Sequence, residues 1–233
     1  MSHELMELAQ AIVQNPKPLI LIDTCSILDI IRVPIREELN AEQLIGGAQS
    51  LLENALGGKI YLAITSTVRI EYDTNLPEVQ DGLKSLAEKR EKQAKHYVLS
   101  TSLAGLPIAG AGPFAPDTLS GVLSQLAADI VSHTYEIEGS DACSGRAMGR
   151  VVGNQAPASK GKSEAKDCHI IEHFLELARS LRSLGFSEKI AFVTSNSNDY
   201  GKIGDLRPPL EDQFRVVDLH YVNNFRWALN LVL

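Results

Sequence analysis

The sequence predicts an α/β domain in which helices cover both faces of a parallel sheet. Four short runs of apolar and β-branched residues are typical of buried strands, and they are separated by segments with helical periodicity. Strands that alternate with helices are joined by crossovers, which makes the sheet parallel and places a helix layer on each face. The predicted strands are 18–23, 59–65, 189–195 and 214–222.

The predicted helices lie between and after these strands. Two of them, TVRIEYDTN and EVQDGLKSLAEKREKQAKHYV, follow the second strand and are separated by a Leu-Pro pair. The others are AEQLIGGAQSLLENAL, the 164–184 segment and the closing segment NNFRWALNLVL. The N-terminal MSHELMELAQAIVQ has helical periodicity as well.

Between the two halves of this pattern lies an insertion of about 60 residues, roughly 99–160. It contains a Gly-, Pro- and Ala-rich connection at 99–117, a weakly patterned helix at 118–133 and a Gly/Ser/Ala-rich loop at 139–161. A chain of 233 residues is long enough for one domain with a full core. We therefore expect one domain over 1–233, with a helical or loop insertion.

Composition favours a cytoplasmic protein. The hydrophobic share of 44% is ordinary for a globular chain, and no apolar run is long enough to cross a membrane. The N-terminus lacks the basic head and apolar stretch of a signal peptide. Three cysteines, without the pair spacing of a metal site, indicate reduced thiols.

The net charge of −7 argues against attraction of nucleic acid to the whole surface, although it allows local basic patches. Two segments are basic. One, 84–98, is expected to be a solvated helix face. The other leads directly to Asp167 and contains Arg146, Arg150, Lys160, Lys162 and Lys166 against the single acid Glu164.

Asp167 is the most informative residue of the 164–184 helix. It shares a helix face with core-type residues, from Ile170 and Ile171 to Phe174 and Leu181, whereas Glu172 and Glu176 fall on the opposite face. A carboxylate aimed at a core is costly unless it is paired. A carboxylate favoured by the helix dipole is the alternative explanation.

Other carboxylates are expected at the same place as Asp167. Asp23 directly follows the first strand, Glu71 lies in the first turns of the helix after the second, and Asn196 and Asp199 follow the third. In an open parallel sheet, ligands bind at the carboxyl ends of the strands. Clustered carboxylates repel one another unless they share a cation, and hard oxygen donors suit Mg²⁺ or Mn²⁺. Zinc is disfavoured because no Cys/His set has suitable spacing.

Four motifs in this order resemble those of PIN-domain nucleases, in particular the longer bacterial PIN-like proteins with an insertion before the third acidic motif. The resemblance covers about 20–80 and 145–230. The motifs are LILIDTCSIL (19–28), VRIEYDTN (68–75), GKSEAKDCHIIEHFLELAR (161–179) and AFVTSNSNDYG (191–201).

The resemblance implies a three-layer Rossmann-like sheet and endoribonuclease hydrolysis that depends on Mg²⁺ or Mn²⁺. Asp23, Glu71 and Asp167 match acidic positions of the family. The fourth position falls on Asn196 or on Asp199, which leaves the fourth metal ligand open between them. Ser195 and Asn75 match secondary polar positions that orient ligands or the attacking water.

We therefore expect a toxin-type or RNA-processing endoribonuclease that acts on single-stranded RNA. Its partners would be the RNA and an antitoxin or a second copy of the chain. Lys162, Lys166, Arg146 and Arg150 would neutralise phosphates that approach the acidic residues. The alternative is a catalytically inactive PIN-like scaffold that binds RNA or protein.

The remaining polar residues near these motifs are expected to play ordinary roles. Asp29 is interpreted as an acid on a helix surface. His169 and His173 are four residues apart, but no catalytic Glu follows the first, so a surface role is favoured. Cys25 and Cys168 are interpreted as small buried cysteines.

Overall fold

The computed structural model describes residues 2–105, 116–162 and 164–233. In these residues a parallel sheet of six strands runs through the protein. A separate two-stranded antiparallel hairpin follows the strand at Ile190–Val193. The strands of the sheet are β1 (Ser2–His3), β2 (Leu19–Ile22), β3 (Tyr61–Thr65), β4 (Tyr135–Ile137), β5 (Ile190–Val193) and β8 (Leu219–Val222). The hairpin is formed by β6 (Gly201–Lys202) and β7 (Asp205–Leu206).

Helices make up most of the rest of the described chain. A short π-helical segment, Glu42–Gly46, leads into the third of them. The α-helices are α1 (Leu5–Gln14), α2 (Thr24–Arg32), α3 (Gly47–Leu56), α4 (Ser66–Leu103), α5 (Pro116–Ser132), α6 (Asp141–Gly153), α7 (Ala165–Ser183), α8 (Ser197–Tyr200), α9 (Leu210–Val216) and α10 (Phe225–Val232).

The predicted fold class, a three-layer α/β domain with a parallel sheet, is confirmed. The strand order in space is β1-β4-β3-β2-β5-β8. Helices α1 and α6 pack on α7, while α2, α4 and α5 pack on one another and α3 packs on α5 and α10. The central strands β2 and β5 are buried at every residue, which explains their uninterrupted apolar sequences.

The order of the strands decides where a ligand can bind. From β2 the chain goes first to β3 on one side and later to β5 on the other, so the direction of winding changes between β2 and β5. A crevice forms at such a switch point, outside the carboxyl ends of the strands. Asp23 follows β2 and Thr194 follows β5, and both therefore lie at this crevice.

Three helix and strand predictions are wrong. The two helices after β3 are one, because α4 continues through Pro77 while Val79 and Leu83 pack in the core. The first part of the 214–222 strand is the end of α9, which buries Phe214. The predicted 139–161 loop contains α6, whose low helix propensity is offset by packing of Cys143, Ala147 and Arg150 against α7.

The insertion is more than a helical or loop addition. Its strand β4 pairs with β3 on one side and β1 on the other, so it extends the main sheet. Within the predicted 99–117 connection, residues 99–103 continue α4, and 106–115 lie outside the described residues. The predicted 118–133 helix corresponds to α5.

The basic segment 84–98 lies on the far part of α4. After Leu83 no described residue of this helix is buried, so its final turns stand clear of the core. Glu71 lies near the start of α4, and Lys84 is 13 residues further along, about 20 Å at 1.5 Å per residue. This agrees with the expected solvated face.

None of the helices in the described residues combines the length and the apolar character needed to cross a bilayer.

Candidate active site

Asp23 is the most buried acid of the site. It caps the N-terminus of α2, and its side chain is held by three donors: the Thr24 amide to Oδ1 at 2.8 Å, and the Thr194 hydroxyl and Cys25 thiol to Oδ2 at 2.6 and 3.0 Å. Only 2% of the residue is exposed. Burial raises the pKa of Asp23, and the nearby charge of Glu71 raises it further.

Glu71 lies beside Asp23 because α4 begins where β3 ends. Thr65 caps this helix by accepting a hydrogen bond from the Val68 amide at 3.2 Å. The Thr24 hydroxyl donates to Oε2 of Glu71 at 2.8 Å, which links the first turn of α2 to α4. The predicted convergence of Asp23 and Glu71 therefore occurs through a direct bridge by Thr24.

Asp167 is half-buried in the first turn of α7, and its apolar helix face packs in the core as predicted. Burial, followed by the charge of Asp23, raises the pKa of Asp167 to about 8. The charges of Glu164, Glu71 and Asp199 act in the same direction. A carboxyl group surrounded by so much negative charge binds either a proton or a cation.

Asp199 and Glu164 complete the acidic cluster. Carboxylate oxygens of Glu164, Asp167 and Asp199 lie within 4.8 Å of one another. The Asn196 amide donates to Oδ2 of Asp199 at 2.8 Å and to Oδ2 of Asp167 at 3.3 Å. Asp199 and Asn196 are both in the cluster, so the contacts do not choose one of them as the fourth ligand.

Sequence reasoning missed Glu164. This residue immediately precedes α7 and has a left-handed backbone with φ of 39°, so it does not follow the periodicity of the helix. An acid at the N-cap position, three residues before Asp167, is the signal that could have identified it.

Lys162 and Lys166 both contact carboxylates of the cluster. Nζ of Lys162 lies 2.7 Å from Oδ1 of Asp199 and 2.6 Å from Oε1 of Glu164. Nζ of Lys166 lies 3.3 Å from Oε1 of Glu71. The four-residue spacing of the two lysines does not place them on one helix face, since α7 begins at Ala165 and Lys162 belongs to a preceding turn bridged to Ser159.

The two arginines predicted to bind phosphates form ion pairs within the domain. Arg150 is only 2% exposed, and its Nε lies 2.5 Å from Oε1 of Glu172. Arg146 pairs with Glu172 at 2.8 Å and with Glu176 at 2.7 Å. The predicted solvent-facing position of Glu172 is therefore also wrong, because both arginines of α6 draw its carboxylate into the α6–α7 interface.

The secondary polar residues also differ from expectation. The Asn75 amide donates to the backbone carbonyl of Glu71 at 2.8 Å, within α4. The Ser195 hydroxyl donates to Asp29 at 2.6 Å. Asp29 is buried and not a surface acid, because it also pairs with Arg32 and Arg36, each at 3.5 Å. Ser195 is thus anchored to α2 beside the cluster.

The predicted surface role of the two histidines is wrong. His169 contacts the Thr67 hydroxyl at 2.7 Å and the Ser144 hydroxyl at 3.1 Å, and so links α7 to α4 and α6. His173 is fully buried and accepts from the Ser140 amide at 2.9 Å. Burial lowers the pKa of both rings.

Of the two cysteines near the cluster, Cys168 is buried as expected and Cys25 is partly exposed. Although part of the residue reaches solvent, its thiol is desolvated and lies beside the Asp23 carboxylate, and both effects raise the pKa of Cys25, which keeps its proton available for the hydrogen bond to Asp23.

The donor set of the cluster fits a divalent cation such as Mg²⁺ or Mn²⁺. Carboxylate oxygens of Glu164, Asp167 and Asp199 lie close enough together to share one ion, and they are the hard ligands that these ions prefer. Burial and the charges of four neighbouring carboxylates together raise the pKa of Asp167, and a bound cation would relieve both effects. Asp23, Glu71, Glu164, Asp167 and Asp199 would hold the ion.

A comparison with protein families places these residues in context. A family model described as a PIN domain matches residues 20–200, well over half of the chain. The matched range includes every acidic residue of the cluster, from Asp23 to Asp199, and runs through the insertion. No curated protein and no solved structure gives a significant match.

Proposed function

The chain belongs to the PIN-domain family, a metal-dependent nuclease fold, and on that premise we propose that it is an endoribonuclease that hydrolyses single-stranded RNA. The observation that carries the proposal is the acidic cluster at the switch point of the sheet. Four carboxylates, those of Asp23, Glu71, Glu164 and Asp199, lie around Asp167, and burial together with their charges raises its pKa. The family resemblance predicted this function, and the donor geometry supports it.

Asp23, Glu71, Asp167 and Asp199 are proposed to hold Mg²⁺ or Mn²⁺ together with Glu164, and Asn196 lies beside them. A bound divalent ion supplies a more acidic water and stabilises negative charge on the phosphodiester. The Thr24 hydroxyl orients Glu71, and the Thr194 hydroxyl with the Cys25 thiol orients Asp23. Hydrolysis would leave a 5′-phosphate, as the family resemblance implies.

Lys162 and Lys166 are the residues proposed to bind phosphates. Both are exposed, both contact carboxylates of the cluster, and a phosphate held there would approach the same carboxylates. Arg150 is left out of this role because it is buried and paired with Glu172. The ion pairs of Arg146 with Glu172 and Glu176 likewise favour a structural role.

The test is cleavage of a labelled single-stranded RNA by the purified protein. Activity should require Mg²⁺ or Mn²⁺, disappear in EDTA and return when excess metal is added. RNA that stays intact at every metal concentration would contradict the proposal.

The alternative, an inactive scaffold that binds RNA or protein, is favoured by one feature. Asn196 stands where the resemblance allows an acid, and its amide already donates to Asp167 and Asp199. Such hydrogen bonds partly satisfy the two carboxylates in the absence of a metal. RNA binding without cleavage in the same assay would support this alternative.

Asp199→Ala is expected to increase the Mg²⁺ concentration needed for half-maximal activity about tenfold or more, because it removes a charged ligand. Asn196→Ala should produce a smaller increase, since it removes a neutral group. The measurement is a Mg²⁺ titration of initial cleavage rates for both variants and the parent. The reverse ranking would identify Asn196 as the ligand and Asp199 as its support.

Lys162→Ala is expected to strengthen binding of the divalent cation and to weaken binding of RNA. Without RNA, the ammonium group competes with a divalent cation for Asp199 and Glu164, so its removal should tighten Mn²⁺ binding about two- to fivefold. In an Asp23→Asn background, RNA affinity should instead fall, most strongly when Lys166→Ala is added. The slope of log affinity against log salt should decrease by about one unit for each lysine that no longer binds a phosphate.

The matched control for these lysines is Lys160→Ala, which removes an exposed charge from the same turn. We expect it to change neither metal affinity nor the salt slope. If Lys160→Ala and Lys162→Ala changed Mn²⁺ affinity and the salt slope of RNA binding equally, Lys160 and Lys162 would both be solvated charges without a specific role.

The toxin role, an antitoxin partner and a homodimer stay predictions of the sequence. A small reading frame beside this gene that encodes an antitoxin-like protein would support the first two. A single monomeric species in solution would contradict the third.

A further inference from the structure

A small pocket lined by both polar and apolar side chains lies next to the acidic cluster. Its volume is about 220 Å³, and it opens at the carboxyl ends of β5 and β8. Ser195 and Ser197 line it from the β5 side and Asn223 from the β8 side. The two serines flank Asn196, whose amide contacts Asp167 and Asp199. A group bound in this pocket would therefore lie next to the part of the acidic cluster that Asn196 contacts.

Several polar groups of the pocket are already held in place. Asp29 binds the Ser195 hydroxyl at 2.6 Å. The Asn40 side chain accepts a hydrogen bond from the backbone N–H of Gln43 at 3.0 Å. The Asn224 side chain caps α10 by accepting from the backbone N–H of Trp227 at 2.9 Å. Because these contacts lie within the domain, the pocket is formed before any ligand arrives.

Other polar groups of the pocket have no hydrogen-bond partner within the described residues. These are the Glu38 carboxylate, the Gln43 side-chain amide and the Ser197 hydroxyl, all on solvent-exposed residues and therefore hydrated until a ligand binds. The amide nitrogen of Asn223 also has none, since only its oxygen is used, by Asn224 at 3.0 Å. The pocket thus offers a carboxylate acceptor together with amide donors.

We propose that this pocket binds a guanine base of the RNA, an assignment that rests on the proposed function. Bases of single-stranded RNA are free to turn outward and present their Watson–Crick edges. Guanine presents two adjacent donors, N1–H and N2–H₂, which a carboxylate accepts together, and an O6 acceptor for an amide donor. Adenine, cytosine and uracil lack this pair of donors beside an acceptor.

The charge of the pocket favours a base over a phosphate. Glu38 is acidic and has no ion-pair partner within the described residues, so it would repel an anion, whereas the charge of Asp29 is already paired with Arg32 and Arg36. Glu38 would supply the paired acceptor, and Gln43 or Asn223 the donor to O6. The pocket then adds base selectivity to a site whose lysines bind phosphates regardless of sequence.

The experiment compares short oligouridylates that carry one central guanosine, adenosine or cytidine, or none. Fluorescence anisotropy measures their affinity for the Asp23→Asn protein. We expect about tenfold tighter binding of the guanosine oligonucleotide. Glu38→Gln should remove this preference and leave oligouridylate affinity unchanged. Glu37→Gln, which neutralises the neighbouring acid outside the pocket, should preserve it.

Equal affinity for all four oligonucleotides, or a guanosine preference that survives Glu38→Gln, would overturn the assignment. A preference for another base would overturn guanine as the occupant. Cleavage by the parent protein separates this proposal from the proposed function. Metal-dependent cleavage combined with equal affinity for all four oligonucleotides overturns the pocket alone. A guanosine preference in binding without cleavage of any oligonucleotide overturns the proposed function alone.

Discussion

Asp167→Asn and Asp23→Asn are each expected to reduce metal-dependent RNA cleavage more than about 100-fold while the protein stays folded. Each change removes a negative charge from the cluster, and a correctly placed divalent ion contributes several kcal/mol to transition-state stabilisation. Folding should survive because the donors to Asp23 include a hydroxyl and a thiol, which can turn to accept from an amide.

The measurements for this prediction are initial cleavage rates and metal-free melting temperatures. Asp212→Asn, an exposed acid on α9, is the matched control and should change neither. Melting temperatures that fall by many degrees in both cluster variants would indicate a structural role for these acids. Unchanged cleavage rates would exclude them from the site.

The second large effect is a loss of metal-free stability as the pH rises. The folded-state pKa of Asp167 is raised from 3.8 to about 8. A carboxyl group with a raised folded-state pKa contributes its full stability below the unfolded-state pKa and loses it as the pH rises towards the folded-state value. In EDTA, the free energy of unfolding should therefore fall by about 1 to 4 kcal/mol between pH 5 and pH 8.

Urea unfolding at several pH values measures this slope, and Asp167→Asn is its test. The variant has no carboxyl group to ionise, so its slope should be smaller and its metal-free stability at pH 8 higher than that of the parent. Saturating Mn²⁺ should reduce the slope of the parent as well, since a bound cation favours the ionised form. Identical slopes in the parent and the variant would contradict the raised pKa.

The parts of the site that could be predicted are those determined by sheet topology. A strand that is buried on both faces has an unbroken apolar sequence, and the acid that follows it lies at the carboxyl edge. Asp23 after β2 and Asp199 after β5 follow this rule, and Asp167 was evident because a carboxylate interrupts an apolar helix face. Glu71 was found because α4 begins directly at the end of β3.

The parts that were missed depend on partners distant in sequence. Arg150 and Glu172 are charged residues of the kind that usually lies on an exposed helix face. Only the packing of α6 on α7 brings them together. Asp29 is buried with Arg32 and Arg36 as its ion-pair partners and with a hydrogen bond from Ser195, 166 residues away, which helix periodicity does not reveal. Glu164 escaped notice because its backbone is not helical, so periodicity carries no information about its direction.

Stretches of helix and strand were misjudged for a related reason. Glycines and serines in 139–161 favour a loop locally, yet α6 forms because its buried face has α7 to pack against. Pro77 predicts a helix end, yet α4 continues because Val79 and Leu83 are buried beyond it. Tertiary packing outweighs local preference in both segments.

The central claim is that the acidic cluster at the carboxyl edge of the sheet is a divalent-metal site. The most direct test is a titration of metal-free protein with Mn²⁺, in which the electron paramagnetic resonance signal reports the unbound ion. We predict saturable binding to the parent and to Asp212→Asn, and loss of that binding in Asp167→Asn. Mn²⁺ binding of equal affinity and stoichiometry in Asp167→Asn would contradict the claim.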